Sequence, residues 1–172
     1  MNEALENLYT RRSVRKYKAE QISREELEAV LKAGVCAPTG MNRQSPVLVA
    51  VQDKETRDLL SRMNAAVNGA AGDPFYGAPT VVVVLADANS RHAVQDGSLV
   101  LGNLMNAAHA IGLGSCWINR AKEVFDTDEG KALLKKWGLE GEYIGVGNCI
   151  LGYPDEAPAM KPRKENYITY VL

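Results

Sequence analysis

Histidine is scarce in this chain of 172 residues. There are two, His92 and His109, and no HExxH run, so a histidine-based metal or general-base centre has little to draw on. Cys36, Cys116 and Cys149 are odd in number and widely spaced, with no CxxC pair. That pattern excludes a disulfide framework and a zinc ribbon and fits reduced thiols in a cytoplasmic protein. The segment MNEALENLYTRR carries no apolar signal core, and no uncharged run reaches the roughly 18–20 residues a membrane helix needs. A net charge of −1 leaves no basic excess to neutralise a nucleic-acid backbone. GxGxxG after a strand, GxxxxGK[ST] and GxSxG are all missing, which removes the Rossmann, P-loop and nucleophile-elbow fingerprints. The expectation is a soluble cytoplasmic protein, with no nucleic-acid or membrane partner and few reactive side chains of its own.

What is present describes one domain over residues 1–172, without repeats, low-complexity stretches or a dividing linker. Ile22-Ser23-Arg24-Glu25-Glu26-Leu27 is a helix start: Ser23 caps, Glu26 completes a capping box, and Ile22 with Leu27 forms a hydrophobic staple. Helices are predicted over 2–9, 23–36, 54–67, 93–111 and 127–137, and strands over 47–52, 80–86, 115–119 and 143–153. Val81–Val84 are four consecutive valines, which implies a strand buried on both faces. The segments 37–46 and 68–79 read as loops, being rich in Gly, Ala and Pro. The tail YITYVL (167–172) is β-prone and isolated, suited to pairing with a sheet edge, including that of a partner chain. The elements fit an α+β or α/β class with a mixed central sheet.

Two short cationic clusters stand near the two ends of the chain, RRSVRKY (11–17) and KPRK (161–164). Arg11, Arg15, Lys161 and Arg163 supply charge and Ser13 a hydroxyl, the combination that holds a small phosphate from two sides. The alternative is that they are solvated surface charge. A phosphate clamp without nucleophiles, metals or general bases suits borrowed chemistry, in which a cofactor reacts and the protein positions it.

Four motifs in order, RRSVRKY, APTGMNRQSP (37–46), GLGSCWI (112–118) and LGYPDE…KPRK, resemble the FMN-dependent nitroreductase family from about Leu8 to Arg163. The resemblance implies an α+β fold with a central mixed, mainly antiparallel sheet flanked by helices, and a homodimer with FMN at the subunit interface. It implies an NAD(P)H oxidoreductase working by ping-pong hydride transfer. NADH or NADPH reduces the flavin and leaves, and a nitroaromatic, quinone or similar small acceptor is reduced over the same ring face.

Carried over by position, Arg11 and Ser13 match phosphate contacts, and Arg12 matches a position along the flavin. Arg15 matches a cation at the N1/O2 edge, where reduced flavin is negative. Lys161 and Arg163 match the basic pair closing on the phosphate. Pro38, Thr39, Asn42 and Gln44 match a loop that reaches the partner's flavin. The tail 165–172 lies beyond the resemblance, and its apolar, β-prone character suits it to packing on the partner subunit. Ser115, Cys116, Trp117, Ile118 and Asn119 match the strand that sets backbone groups against N5, with Cys116 and Trp117 equally suited to filling the core. No catalytic side chain and no metal is expected. The chain departs from the family pattern at Ser45-Pro46, where members often carry Pro-Trp, and at Asn119-Arg120, where some carry acidic and glycine residues. A same-fold flavoenzyme with other chemistry (dehydrogenase, dehalogenase or flavin-consuming enzyme) and a non-catalytic flavin-binding module remain as alternatives.

Overall fold

A computed structural model describes residues 2–172 of the chain. Among the described residues ten helices and strands follow in order, with a 3₁₀ turn at Gly40–Asn42 between the second and third: α1 (Glu3–Thr10), α2 (Arg24–Val35), β1 (Pro46–Val51), α3 (Lys54–Asn68), β2 (Thr80–Asp87), α4 (Ala93–Ala110), β3 (Gly114–Ile118), α5 (Ala121–Asp126), α6 (Asp128–Lys136) and β4 (Tyr143–Gly152). The four strands form one sheet in the order β1-β2-β4-β3, and every neighbouring pair is antiparallel. The one parallel pairing beside it is an isolated bridge between Ser13 and Ser115.

Side chains alternate along a strand, and β2 divides the core accordingly. Val81, Val83 and Leu85 pack with Leu60 and Met63 of α3, Phe75, Val124 and Phe125 of α5, and Leu133 and Leu134 of α6. Val82 and Val84 pack on the opposite face with Leu27 and Val30 of α2 and Val100, Leu101 and Leu104 of α4. The sheet is therefore covered by helices on both sides, and all four valines are completely buried, as a continuous apolar run requires. Each fully buried valine contributes about 1.5–3 kcal/mol of transfer free energy, so this strand is a principal anchor of the fold.

Local signals explain the helix starts. Ser23 and Glu26 form the reciprocal capping box, and Ile22 and Leu27 are both buried. Asp53 caps α3 by accepting the Thr56 N–H at 2.8 Å. One helix lies outside the sequence expectation. Ala121, Val124 and Phe125, spaced i, i+3, i+4, form the buried stripe of α5. Thr127 then ends α5 and caps α6, its hydroxyl donating to the Val124 carbonyl and accepting the Gly130 N–H.

Two glycines of β4 make room for its neighbours. At Gly145 a Cβ would collide with the backbone of Ala121, where α5 begins. At Gly147 it would meet Trp117 Nε1 at 2.6 Å and Leu101 Cδ1 at 2.9 Å. Because the obstruction at Gly145 is backbone, it cannot be relieved by a rotamer change. Gly145→Ala should cost about 1–3 kcal/mol or more, read as a lower urea midpoint with an unchanged slope. An unchanged midpoint would show that α5 can move aside freely.

Candidate functional site

The candidate site is organised by a segment with no helix or strand of its own. After α1 the chain runs extended beside the outer edge of β3, where the Val14 N–H donates to the Ser115 carbonyl at 2.9 Å. Tyr17 pairs with Pro154, and the Lys18 N–H donates to the Tyr153 carbonyl at 2.9 Å. The C-terminal leg is tied back in turn: the Asp155 N–H donates to the Lys16 carbonyl, and the Glu156 carboxylate accepts the Arg15 N–H at 2.5 Å. Val14 is buried, and the Tyr17 hydroxyl donates to its carbonyl at 2.6 Å. Burial pushes the Tyr17 phenol well up, reinforced by the nearby Cys116 and Cys149 thiols, so it remains a neutral donor.

Arg15 lines a cleft of about 300 Å³ at the C-terminal end of β3. The opposite wall comes from Asn64 and Asn68 of α3 and from Pro74 and Tyr76, and the floor from Cys116–Arg120. Asn64 donates to the Asn119 carbonyl at 2.8 Å, joining α3 to the end of β3. Arg120 has a left-handed backbone (φ 76°), and its Nε donates to Asn68 Oδ1 at 3.3 Å.

Among the described residues three buried polar side-chain atoms have no hydrogen-bond partner: Arg11 Nη1, Ser115 Oγ and Trp117 Nε1. All three belong to the docked segment or to the strand beside it. A buried guanidinium nitrogen without an acceptor is costly, and an anion is the group that satisfies it. Arg11 and Ser115 therefore fit a phosphate. Trp117 Nε1 is explained differently, since its indole packs toward Gly147 and Leu101.

The sequence candidates fall into separate places. Ser13 bridges to Ser115, and Arg15 shares the cleft with Cys116–Asn119, while Arg11 ends α1, its charge acting on His109 and Cys149. Arg12 turns back to donate to the Tyr9 and Arg11 carbonyls, and it lines a different hollow with Thr10, His109, Gly114 and Glu156. His109 meets Thr10 Oγ1 at 2.9 Å, and burial, then Arg11 and Arg12, hold its imidazole below its usual value. Cys116 is a core residue, its side chain packed among α3, α5 and β2 residues, while Trp117 lies between core and cleft. Lys161 and Arg163 sit on the exposed C-terminal leg, with no side-chain hydrogen bond to the 11–15 segment among the described residues.

The 37–46 loop does not reach the Arg15 cleft of its own chain. Ala37, Thr39, Gln44 and Pro46 line a smaller hollow with Val35, Leu48 and Val100. The loop is nevertheless held firmly. The buried Asp96 accepts the Gly40 N–H at 2.9 Å and the Ser45 hydroxyl at 3.4 Å, and Thr39 Oγ1 accepts the Gln44 N–H at 3.1 Å. Met41, Asn42 and Gln44 all have positive φ, between 51° and 53°, a cluster of strain that the anchors over-determine.

The profile of the Nitroreductase family matches residues 8–74 and 65–153. The chain belongs to the nitroreductase family. An Archaeoglobus fulgidus relative named "Putative NADH dehydrogenase/NAD(P)H nitroreductase" is 35% identical, the match covering 91% of this chain and 88% of the relative. The Vibrio harveyi NADPH-flavin oxidoreductase is 32% identical over 95% of this chain and 70% of its own length. A Bacteroides fragilis nitroreductase crystallised with bound FMN superposes with a TM-score of 0.90 at 31% identity, over 100% of both chains.

Within this nitroreductase, Asn64, Asn68, Pro74, Tyr76 and Arg120 line the cleft without having been sequence candidates. Asn64 left a signal, as a polar residue in the apolar stripe Leu60, Met63, Val67. The turn carrying Tyr76 left none, because its support is Asp73. Burial acts to raise the Asp73 carboxyl, but the Arg57 guanidinium, the Ser61 hydroxyl and the Gly77 and Phe75 N–H groups outweigh it, leaving it below the ordinary 3.8. A depressed folded value gives stability that is present above 3.8 and lost as pH falls through the folded value. Asp73→Asn should cost about 1–2 kcal/mol at neutral pH and flatten the acid limb of a thermal-stability profile. An acid limb identical to that of the parent would show that ionisation of Asp73 does not hold this turn.

Proposed function

We propose that this nitroreductase is an FMN-dependent NAD(P)H oxidoreductase that reduces small planar acceptors such as nitroaromatics or quinones. The observation that carries this reading is the buried, unpartnered Arg11 Nη1, with a second orphaned polar group, the Ser115 hydroxyl, on the strand against which Ser13 and Val14 dock. The names and the FMN-bound state of the relatives support it, and so does the absence of any acid–base pair in the cleft lining. FMN, when bound, supplies the hydride chemistry.

The chain's own groups bind and orient. Arg11 and Ser13 hold the phosphate, with Lys161 and Arg163 closing on it from the C-terminal leg. Arg15 places a fixed cation at the ring edge where negative charge develops. The backbone of Ser115–Asn119 fixes one side of the ring without a titratable side chain. Arg12 takes a lesser part, since its guanidinium is occupied by two carbonyls.

A second copy of the chain completes the site in this reading. Pro38, Thr39, Asn42 and Gln44 cannot serve the cleft of their own chain, and their strained, anchored loop suits reaching a partner's flavin. Exposed apolar residues on the tail (Tyr167, Ile168, Tyr170, Val171, Leu172) and on α1 and α4 (Leu5, Leu8, Leu99) suit burial in a homodimer. Among the described residues no helix is long and apolar enough to cross a membrane, consistent with a cytoplasmic enzyme.

The purified protein should sediment as a dimer and show a flavin band near the visible blue that bleaches anaerobically with NADH or NADPH. Bound flavin inert to both donors would favour other chemistry on this fold or a binding module. A protein that cannot be reconstituted with FMN would overturn the reading. Arg11→Ala should weaken FMN binding by about 1.5–3 kcal/mol, roughly 10- to 150-fold in Kd, measured by fluorescence titration. Arg15→Ala should lower the flavin midpoint potential while retaining most FMN affinity.

A further inference from the structure

The turn 73–78 is held more firmly than a surface loop needs. Asp73 accepts the Phe75 N–H at 2.9 Å, the Gly77 N–H at 2.7 Å and the Ser61 hydroxyl at 2.6 Å. Arg57, itself buried, donates to Asp73 at 2.5 Å and to the Ala78 carbonyl at 2.9 Å, with its guanidinium 5.6 Å over the Phe75 ring. Phe75 is plugged into the core at 1% exposure.

All of this support surrounds Tyr76, the one aromatic side chain of the turn that is exposed. Tyr76 has a left-handed backbone (φ 53°), uncommon for a bulky side chain, and it is 44% exposed. Strain of this kind persists only where surrounding contacts impose it. Its ring lies 6.0 Å from the guanidinium carbon of Arg15, on the opposite wall of the cleft. Arg15 has its backbone fixed by Glu156, yet among the described residues it takes part in no ion pair. The Tyr76 ring is the group that limits where this long, flexible cation can point.

We propose that Tyr76 is a positioning residue for Arg15: the clamped turn presents its ring to the guanidinium and holds that cation in the cleft. The proposal rests on the flavin reading of the same cleft. Tyr76 touches the cation and acts through it. An aromatic face is required and the phenol hydroxyl is not, because the attraction comes from the ring quadrupole.

The test uses flavin-loaded parent, Tyr76→Ala, Tyr76→Phe, Arg15→Ala and the Arg15→Ala/Tyr76→Ala double variant. Midpoint potentials are read by anaerobic dye equilibration and thermal unfolding by circular dichroism. Tyr76→Ala should lower the potential in the same direction as Arg15→Ala, Tyr76→Phe should keep the parent value, and the double variant should match Arg15→Ala alone. Unfolding temperatures of the Tyr76 variants should stay close to that of the parent, since the ring is not core. A Tyr76→Ala protein at the parent potential overturns the proposal and leaves the flavin reading standing. A Tyr76→Phe protein shifted as far as Tyr76→Ala also overturns it. A parent that takes up no flavin is seen in the first absorption spectrum, before any variant is compared, and removes both.

Discussion

The pairing of the Val14 N–H with the Ser115 carbonyl is where the architecture of the site is decided. β3 is an edge strand with β4 on one side, and an unpaired edge must be covered or blunted. The chain leaving α1 covers it. In doing so the backbone takes Ser13 and Arg15 along the strand that also carries Ser115–Asn119. The same segment ties down the C-terminal leg through Tyr17–Pro154, Lys18–Tyr153 and Lys16–Asp155. One run of backbone hydrogen bonds thus closes a sheet edge, gathers the cationic residues and fixes the start of the leg that carries Lys161 and Arg163.

The rigidity behind that edge comes from the two-sided core. β2 is buried on both faces, so β4 beside it is held in register from Thr80–Leu151 to Asp87–Tyr143, with a bulge at Val84/Leu85. The bulge falls where β4 carries Gly145 and Gly147, one admitting the backbone of α5 and the other the indole of Trp117. Trp117 therefore has two surroundings: it packs, half-buried, against the core through its indole, and it also lines the cleft. The sequence reading left it between those roles, and the structure shows why a single choice was not available.

Much of the fold was legible in the chain because its signals are local. The capping box at Ser23, the valine run of β2 and the i, i+4, i+7, i+8 spacing of α4 each specify an element without distant help. α5 was missed because six residues carry barely one turn of periodicity, and its stability depends on the space that Gly145 leaves across the sheet. The cationic cluster and the loop 37–46 were legible as motifs, but their placement was not. That the Arg12 guanidinium is occupied follows from two backbone carbonyls, Tyr9 and Arg11, that no side-chain pattern announces. That the loop stays clear of its own cleft depends on Asp96, whose carboxylate in the first turn of α4 reads in sequence as an ordinary dipole-compensating residue.

The site's parts differ in how they are held, and the difference matches what each must do. Groups that face the reacting ring in the proposed function are backbone of β3 or side chains anchored from below, where an error of an ångström would cost rate. In that same reading the phosphate end can tolerate more freedom, because charge attraction is less directional than hydrogen bonding, and Lys161 and Arg163, which it assigns there, ride on an exposed leg. Between these limits stands the loop 39–44, strained in its backbone yet exposed at Met41. Left-handed residues there cannot be favoured by the loop's own contacts alone, since each would relax toward an ordinary conformation in a free chain. Asp96 and Thr39 impose the shape from one side. A surface on the other side, complementary to Asn42 and Gln44, would give that shape a use, and in the proposed homodimer the polar lining of the second protomer's cleft would provide it.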